Sequence, residues 1–241
     1  MLTLSAHTLY HSYKQRTVLH GVSFNVSTGH VVGVLGPNGA GKTTCFQIIS
    51  GLMPPERGVV LWDHQDITTW RMDRRGRAGI RYLPQEPSVF QGLSVENNLY
   101  MILNLVTKGA KEKKRLCEQY LEEFRLTHVR KTIATVLSGG ERRRLEIARS
   151  LIGDPKILLL DEPFAGIDPK GIEDLQDLIP QLIASRQIGI LITDHNVRAA
   201  LTMVDRAYIL VDGRIVQDGS PQSISENEKI RRLYLGERFK L

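Results

Sequence analysis

The chain has 241 residues, enough for one α/β domain with a substantial core but little room for two full domains. Its apolar content of 41% and charged content of 24% are ordinary for a soluble globular protein. No apolar run is long enough to cross a membrane and Met1–Tyr10 has no secretory pattern, so neither a membrane span nor a signal peptide is predicted. Two cysteines, Cys45 and Cys117, do not make a disulfide framework, and we expect Cys45 to be a small buried thiol in a reducing compartment.

The net charge of +6 is unevenly distributed along the chain. Residues 71–81 and residues 108–115 each carry five cations and one carboxylate, 5 − 1 = +4 apiece, so the remainder is slightly acidic. Such segments can face nucleic acid, anionic lipid headgroups or another protein, or form a solvated helix face. Charge alone does not decide between these interpretations.

The first 26 residues predict a pair of antiparallel strands. Apolar and polar residues alternate through Leu2–Val26, with a turn at Tyr13–Arg16. Tyr13 is then either an aromatic face for a purine base or an ordinary cross-strand aromatic, and the residues alone leave both interpretations open.

Val31–Gly51 (VVGVLGPNGAGKTTCFQIISG) predicts a buried strand, a glycine-rich turn and a helix, and it matches the phosphate-loop pattern GxxxxGK[ST]. Glycines let backbone N–H groups approach phosphate oxygens, and the helix directs its positive end at the same anion. Lys42 can reach the β- and γ-phosphates, and the Thr43 hydroxyl can ligate Mg²⁺. The predicted ligand is therefore ATP or GTP with Mg²⁺. The predicted binding residues are Gly36, Pro37, Asn38, Gly39, Ala40, Gly41, Lys42, Thr43 and Thr44.

A helical block follows two short predicted strands, Val59–Trp62 and Gly79–Leu83. Helical periodicity runs from Glu96 to about Ile133, with a break at Lys108–Ala110. This block interrupts the α/β alternation, so we predict an inserted helical subdomain.

The segment LSGGE at 137–141 opens a further helix. Ser138 and Glu141 have the spacing of a capping box. The adjacent glycines also leave free N–H groups and no side-chain bulk, as a helix end that receives an anion requires. The cap and the anion site are compatible.

Two further buried strands end in titratable residues. Ile157–Glu162 ends in two carboxylates, of which Asp161 is placed to support Mg²⁺ and Glu162 to polarise the attacking water as a general base. Ile188–Thr193 leads to His195, at the same kind of strand end, where a γ-phosphate would lie. Tyr208–Gln217 predicts a hairpin, followed by a short charged helix and Tyr234–Leu241.

In this order the motifs resemble those of the ATPase subunits of ABC transporters, over nearly the whole chain. The LSGGE signature separates that family from other phosphate-loop proteins and makes ATP the expected nucleotide. The resemblance implies that Tyr13 stacks on adenine, that Gln85 joins Thr43 and Asp161 around Mg²⁺, and that His195 contacts the γ-phosphate. Glu162 and His195 are thus the expected catalytic residues.

The resemblance also implies an assembly. In this family the signature residues Ser138, Gly139 and Gly140 close over an ATP bound to the opposite subunit, so we expect a head-to-tail homodimer with two competent sites. Two inner-membrane permease subunits are the expected further partners, bound through a groove that includes Gln85, Phe90 and Leu93. The subunit would then lie in the cytoplasm, peripheral on the inner membrane of a Gram-negative bacterium.

The expected fold is therefore α/β: a RecA-like phosphate-loop ATPase core with an antiparallel β subdomain and an inserted α-helical subdomain. We predict a single domain over residues 1–241. Residues 1–84 and 151–241 form its catalytic core and β subdomain, and residues 85–150 form the helical and signature subdomain.

Several stretches resemble one branch of the family, the ATPases of lipopolysaccharide-export transporters. They are YLPQEPSVF (82–90), LSVENNL (93–99), LSGGERRRLEIARSL (137–151), DEPFAGIDP (161–169), LITDHNVR (191–198) and YLGERFKL (234–241). Gln91 and Gly92 depart from the more basic pair expected there, which affects the detail of the partner groove. The expected function is to power extraction of lipopolysaccharide from the inner membrane for export to the outer membrane.

Two alternatives remain at this point. The ATPase of a branched-chain amino-acid importer shares many of the same sequence motifs. A soluble ABC ATPase acting on nucleic acid or ribosomes is disfavoured, because this chain has one cassette and only a compact helical insert. No nucleic-acid partner is expected.

Overall fold

Two β-sheets organise the chain in a computed structural model that describes residues 1–230. The predicted last segment, Tyr234–Leu241, lies outside the described residues. The strands are β1 Thr3–Tyr13, β2 Arg16–Ser27, β3 Val31–Leu35, β4 Arg57–Trp62, β5 Gln65–Asp66, β6 Ile80–Leu83, β7 Ile157–Asp161, β8 Gly189–Asp194, β9 Arg206–Val211 and β10 Arg214–Gly219. The helices are α1 Lys42–Ser50, α2 Met72–Arg77, α3 Val95–Val106, α4 Ala110–Glu123, α5 Gly139–Leu151, α6 Pro169–Arg186, α7 Val197–Leu201, α8 Pro221–Glu226 and α9 Glu228–Ile230.

The strand order places three strand ends beside one another. The larger sheet has the order β10-β9-β3-β8-β7-β6 and is parallel except for β10, whereas the smaller, antiparallel sheet has the order β2-β1-β4-β5. Leu35 of β3 lies opposite Asp194 of β8, and Thr193 lies opposite Asp161 of β7. Because parallel strands end at one edge of a sheet, the phosphate loop and both titratable strand ends emerge together.

The larger sheet is the middle layer of the fold. In β3, Val31 and Leu35 pack into a core shared with α3, α4, α5 and α6, whereas Val32 and Val34 pack into a core shared with α1 and the smaller sheet. Burial on both faces explains why the central strands are continuous aliphatic runs rather than alternating ones. The α/β prediction is confirmed. No helix within residues 1–230 is long and apolar enough to span a bilayer.

Most local predictions are confirmed, with one correction. The first hairpin closes at Tyr13 and Arg16, and Ser138 caps α5, as predicted. The second half of the helical block is shorter than predicted: α4 ends at Glu123, and only a 3₁₀ turn at Thr127–Val129 follows before residue 133. Arg125 adopts a left-handed backbone (φ 53°), which ends the α-helix although the apolar spacing continues.

The two basic segments differ in the structure. In residues 71–81, Arg75 is fully buried and donates hydrogen bonds to five backbone carbonyls, those of Ile48, Ile49, Ile67, Thr68 and Trp70. Burial lowers the pKa of Arg75 to about 10. Arg75 is therefore a structural cation that ties α2 to the end of α1.

The segment at 108–115 lies largely on the surface of α4. Lys113 donates to Asn104 of α3 over 2.7 Å, and Arg115 pairs with Glu112 over 2.7 Å. Its other three cations, Lys108, Lys111 and Lys114, are exposed.

Candidate functional site

The phosphate loop joins β3 to α1, and close contacts require two of its glycines, Gly36 and Gly41. A Cβ on Gly36 would lie 2.0 Å from the carbonyl oxygen of Leu210, and a Cβ on Gly41 would lie 2.7 Å from the Leu19 side chain. Gly41 is also the N-cap of α1, with φ 104°, and no side chain caps the first turn. The backbone N–H groups at this helix end are consequently available to an anion.

Lys42 is buried at the base of this loop. Its Nζ donates to the carbonyl oxygens of Gly36 and Pro37 over 2.9 and 3.0 Å, and it lies 3.8 Å from Oε1 of Glu162. Burial lowers the pKa of Lys42, against the attraction of Glu162, Asp194 and Asp161. The ammonium is thus held inside the turn that the loop forms.

Glu162 is the centre of the predicted catalytic group. Its Oε2 accepts a hydrogen bond from Nε2 of Gln85 over 3.0 Å and lies 3.3 Å from Nδ1 of His195. Its backbone has φ 44°, and its N–H donates to the Thr193 carbonyl over 2.9 Å. The structure therefore brings Lys42, Gln85, Glu162 and His195 together, although the chain separates them by tens of residues.

Asp161 lies directly beneath this group and is almost wholly buried. Its oxygens accept hydrogen bonds from Thr193 Oγ1 over 2.5 Å and from the Tyr82 hydroxyl over 3.1 Å. Burial raises the pKa of Asp161, and these two hydrogen bonds oppose the shift. A carboxylate kept in an unfavourable environment is well suited to a cation that compensates its charge.

Asp194 is a second buried carboxyl at this edge, which the sequence analysis did not assign. It accepts hydrogen bonds from the backbone N–H groups of Asn196 and Phe164 over 2.7 and 3.4 Å, and burial raises its pKa. It therefore holds the turns that follow β7 and β8. The sequence feature that could have identified Asp194 is its position at the end of an aliphatic strand.

A cleft opens beside the phosphate loop. It is lined by Tyr13, Arg16, Thr17, Val18, His20, Asn38, Gly39, Gly41, Lys42, Thr43, Thr44, Gln85, Glu162, Asp212 and Gly213. Tyr13 is 46% exposed; its hydroxyl donates to Gln47 over 3.3 Å and its ring meets the His11 ring edge-on at 4.9 Å. Its position in the cleft wall supports a contact with a base, and the His11 contact shows that it is also a packed strand residue.

The donors for Mg²⁺ fit the chemistry of that ion. Thr43 and Gln85 offer a hydroxyl and an amide oxygen to the cleft, and Asp161 offers a carboxylate beneath it. Mg²⁺ prefers such oxygen ligands and usually takes the rest from phosphates and water. Within residues 1–230 no group of three or more His, Cys, Asp and Glu residues is placed to hold a metal ion by itself.

The signature residues do not line the cleft that contains Lys42. Ser138 and Gly140 line a separate cavity beside His128, and Gly139 lines a third cavity together with Gln85 and Glu162. Ser138 caps α5 through the predicted capping box with Glu141. Within one chain, Ser138 therefore does not line the cleft that contains Lys42.

Arg143 links the signature helix to the end of β7, a role that sequence analysis missed. It is buried and donates to the carbonyl oxygens of Pro84 and Asp161 over 3.1 and 3.0 Å, and to Glu146 over 3.0 Å. The run of three arginines in the sequence does not show which of them points inward.

The three residues predicted for the partner groove divide into two places. Gln85 lies at the nucleotide cleft, whereas Phe90 and Leu93 lie on a loop held by buried Asn98, which bonds the backbone of both. Phe90 is 41% exposed, and the Arg149 guanidinium lies 4.6 Å from the centre of its ring. Phe90 is thus presented at the surface on a fixed loop.

The raised pKa of Asp161 leads to a prediction about stability. A carboxyl with a raised pKa favours the folded state while it is protonated, and this contribution is lost as the pH rises through the folded-state pKa. Asp161→Asn is therefore expected to raise the melting temperature of the nucleotide-free protein at pH 7, and to raise it less at about pH 4, near the ordinary pKa of an aspartate. Thermal unfolding at both pH values measures this, with Asp194→Asn as the comparison.

Asp194 accepts two backbone N–H groups, which a single amide oxygen replaces poorly, so the gain from Asp194→Asn should be smaller or absent. A lower melting temperature for Asp161→Asn at pH 7 would show that the ionised carboxylate stabilises the fold.

Comparisons with known proteins agree with this geometry. The family model described as ABC transporter matches residues 19–165. Lipopolysaccharide export system ATP-binding protein LptB of Acidithiobacillus ferridurans is 49% identical over 99% of this chain and 98% of its own length. LptB of Escherichia coli K12 is 46% identical over the full length of both chains. An uncharacterized ABC transporter ATP-binding protein of Rhizobium meliloti is 51% identical over 99% of this chain and 88% of its own.

Solved structures show the same architecture. The ADP conformation of MJ1267, an ATP-binding cassette of an ABC transporter, superimposes with a TM-score of 0.85 at 27% identity, covering 98% of this chain and 100% of that one. A nucleotide-free ATP-binding cassette from an ABC transporter superimposes with a TM-score of 0.84 at 27% identity and the same coverage.

Proposed function

The chain belongs to the ABC transporter family as an ATP-binding subunit and ATPase, and from this premise we propose that it powers the export of lipopolysaccharide from the inner membrane. Two copies bind two ATP molecules with Mg²⁺, close head to tail, and reopen on hydrolysis. The observation that carries the ATPase chemistry is the convergence of Lys42, Gln85 and His195 on Glu162.

In the proposed mechanism, Lys42 and the loop N–H groups hold the β- and γ-phosphates. Glu162 orients the attacking water and accepts its proton, and Gln85 and His195 hold the Glu162 carboxylate in place. Bound Mg²⁺ would neutralise charge on the phosphates, and Thr43, Gln85 and Asp161 would be the protein residues that hold it. Tyr13 would stack on the adenine at the other end of the cleft.

The separation of the signature from the phosphate loop supports the dimer. Ser138 lies in a different cavity from Lys42, so one chain does not surround the nucleotide with both motifs. A second chain in the opposite orientation completes each site, and two-fold symmetry makes the two sites equivalent.

The proposal for the cargo rests on the relatives. The LptB proteins named above match this chain along essentially their whole length. The cargo would contact permease subunits rather than this chain, which would lie on the cytoplasmic face of the inner membrane and bind those subunits through the surface around Phe90.

Mass spectrometry after gentle extraction tests this assignment. The tagged subunit, purified with its native membrane partners, is expected to carry two similar membrane subunits and lipopolysaccharide. A permease pair without glycolipid would overturn the export assignment in favour of an importer. Recovery without any membrane partner would overturn the transport role itself.

Phe90→Ala is expected to weaken the permease contact. Removing an exposed aromatic from an interface costs about 1–3 kcal/mol, or roughly 5- to 150-fold in affinity. We expect less permease to co-purify while the affinity for ATP is unchanged. Val216→Ala is the matched control, since Val216 is exposed to a similar extent on β10; equal losses for both variants would place the permease elsewhere.

A further inference from the structure

A chain of hydrogen bonds leads from the exposed imidazole of His128 to the signature serine. His128 Nε2 lies 3.1 Å from Oε1 of Glu141. The other oxygen of Glu141, Oε2, accepts hydrogen bonds from the Ser138 N–H over 2.9 Å and from the Ser138 hydroxyl over 2.7 Å. The capping box explains the Glu141–Ser138 contacts but not the His128 contact.

The direction of these bonds follows from their chemistry. Burial raises the pKa of Glu141, but hydrogen bonds from Ser138 and His128 outweigh it and hold the pKa below its usual value. The ionised carboxylate has no proton to offer, so His128 Nε2–H is the donor. The two carboxylate oxygens of Glu141 are therefore held by different residues, Oε1 by His128 and Oε2 by Ser138.

Three of the charged residues around His128 have other partners. The cavity beside Ser138 is also lined by Arg125, Arg144, Asp168, Lys170 and Asp174. Arg144 and Arg125 both pair with Asp174, over 2.9 and 3.4 Å, and Asp168 caps α6 by accepting the Gly171 N–H. The two arginines and Asp168 are therefore bonded to groups other than Glu141.

We propose that His128 is a positioning residue for the signature serine. The proposal rests on the head-to-tail dimer described above, in which Ser138 faces the γ-phosphate held by the other subunit. To donate its hydroxyl proton to that phosphate, Ser138 must release Oε2 of Glu141. The backbone N–H of Ser138 must keep its bond to Oε2 if the cap is to survive this change.

His128 makes that exchange possible by fixing the carboxylate from behind. With Oε1 held by the imidazole, the group does not rotate when the Ser138 hydroxyl leaves, so Oε2 stays on the Ser138 N–H. His128 thus preserves the shape of the signature turn while its serine changes partner. It acts on the signature serine through Glu141.

The test compares His128→Ala with His128→Gln, whose amide N–H can reach Glu141 in place of Nε2–H. His7→Ala is the matched control, because His7 is also exposed and hydrogen-bonded to a serine, Ser5, at 3.0 Å. The first readout is hydrogen exchange in the full-length subunit of the two amides bonded within this turn, those of Ser138 and Glu141. His128→Ala should raise their exchange several-fold, and His128→Gln should restore most of the protection.

The second readout is made in the Glu162→Gln background, where ATP should trap the closed dimer. The ATP concentration for half-maximal dimer is expected to rise roughly five- to tenfold for His128→Ala, as for the net loss of one exposed hydrogen bond per site. The affinity for ADP, which lacks the γ-phosphate, should stay the same. This split distinguishes positioning of Ser138 from a general loss of structure.

Three results would overturn the proposal: unchanged exchange and ATP dependence in His128→Ala, equal impairment of the Gln and Ala variants, or a parallel loss of ADP affinity. If the Glu162→Gln parent fails to dimerise with ATP, the proposed dimer is wrong. The exchange readout would still decide whether His128 holds the signature turn.

Discussion

Glu162→Gln is expected to bind ATP as tightly as the unchanged protein and to lose at least about 100-fold in turnover, the range that general-base catalysis contributes. The amide keeps the shape of the side chain and still accepts the Gln85 hydrogen bond, but it does not take a proton from water. Closed dimers should therefore accumulate in the presence of ATP. Steady-state ATP hydrolysis and size-exclusion chromatography with and without ATP measure the two effects.

Glu173→Gln is the control for this change, since Glu173 is an exposed carboxylate on α6 that faces solvent. It should leave both hydrolysis and dimerisation unchanged. Hydrolysis at the ordinary rate in Glu162→Gln would mean that another group accepts the proton.

Arg75→Ala is expected to lower the free energy of unfolding by at least about 3 kcal/mol, because it leaves several buried carbonyl oxygens without a donor. Two of these carbonyls, at Ile48 and Ile49, belong to the last turn of α1, whose first turn carries the phosphate loop. Arg75→Lys should also be costly, because an ammonium does not reproduce the planar fork of five donors. Chemical denaturation of the full chain measures the loss.

Arg77→Ala, two residues away, is the matched control. Arg77 is exposed and pairs with exposed Asp73 at 3.4 Å, a kind of surface pair that is worth about 0–1 kcal/mol. Equal losses for Arg75→Ala and Arg77→Ala would show that the segment stabilises the protein through its total charge rather than through the buried contacts.

The sequence by itself determined the features that depend on neighbouring residues. The phosphate loop, the capping box at Ser138, the first hairpin and the buried strands are local patterns, in which the residue types required stand within a few positions of each other. Their backbone geometry follows from the residues present, so they are predictable without knowledge of the fold. The signature also identified the ATPase family before any contact was known.

Only the tertiary structure decided which distant residues meet. That β8 lies between β3 and β7 is a consequence of packing, and this order brings Asp161, Thr193 and His195 to one edge. The sequence likewise did not determine that Arg75 and Arg143 point into the protein. Neighbouring arginines in each run have the same side chain and differ only in the residues that surround them in the fold. The end of α4 was missed because one left-handed residue, Arg125, overrides a helical apolar pattern. Hydrogen bonds across the fold are fixed by strand order and burial, and neither is encoded in local spacing.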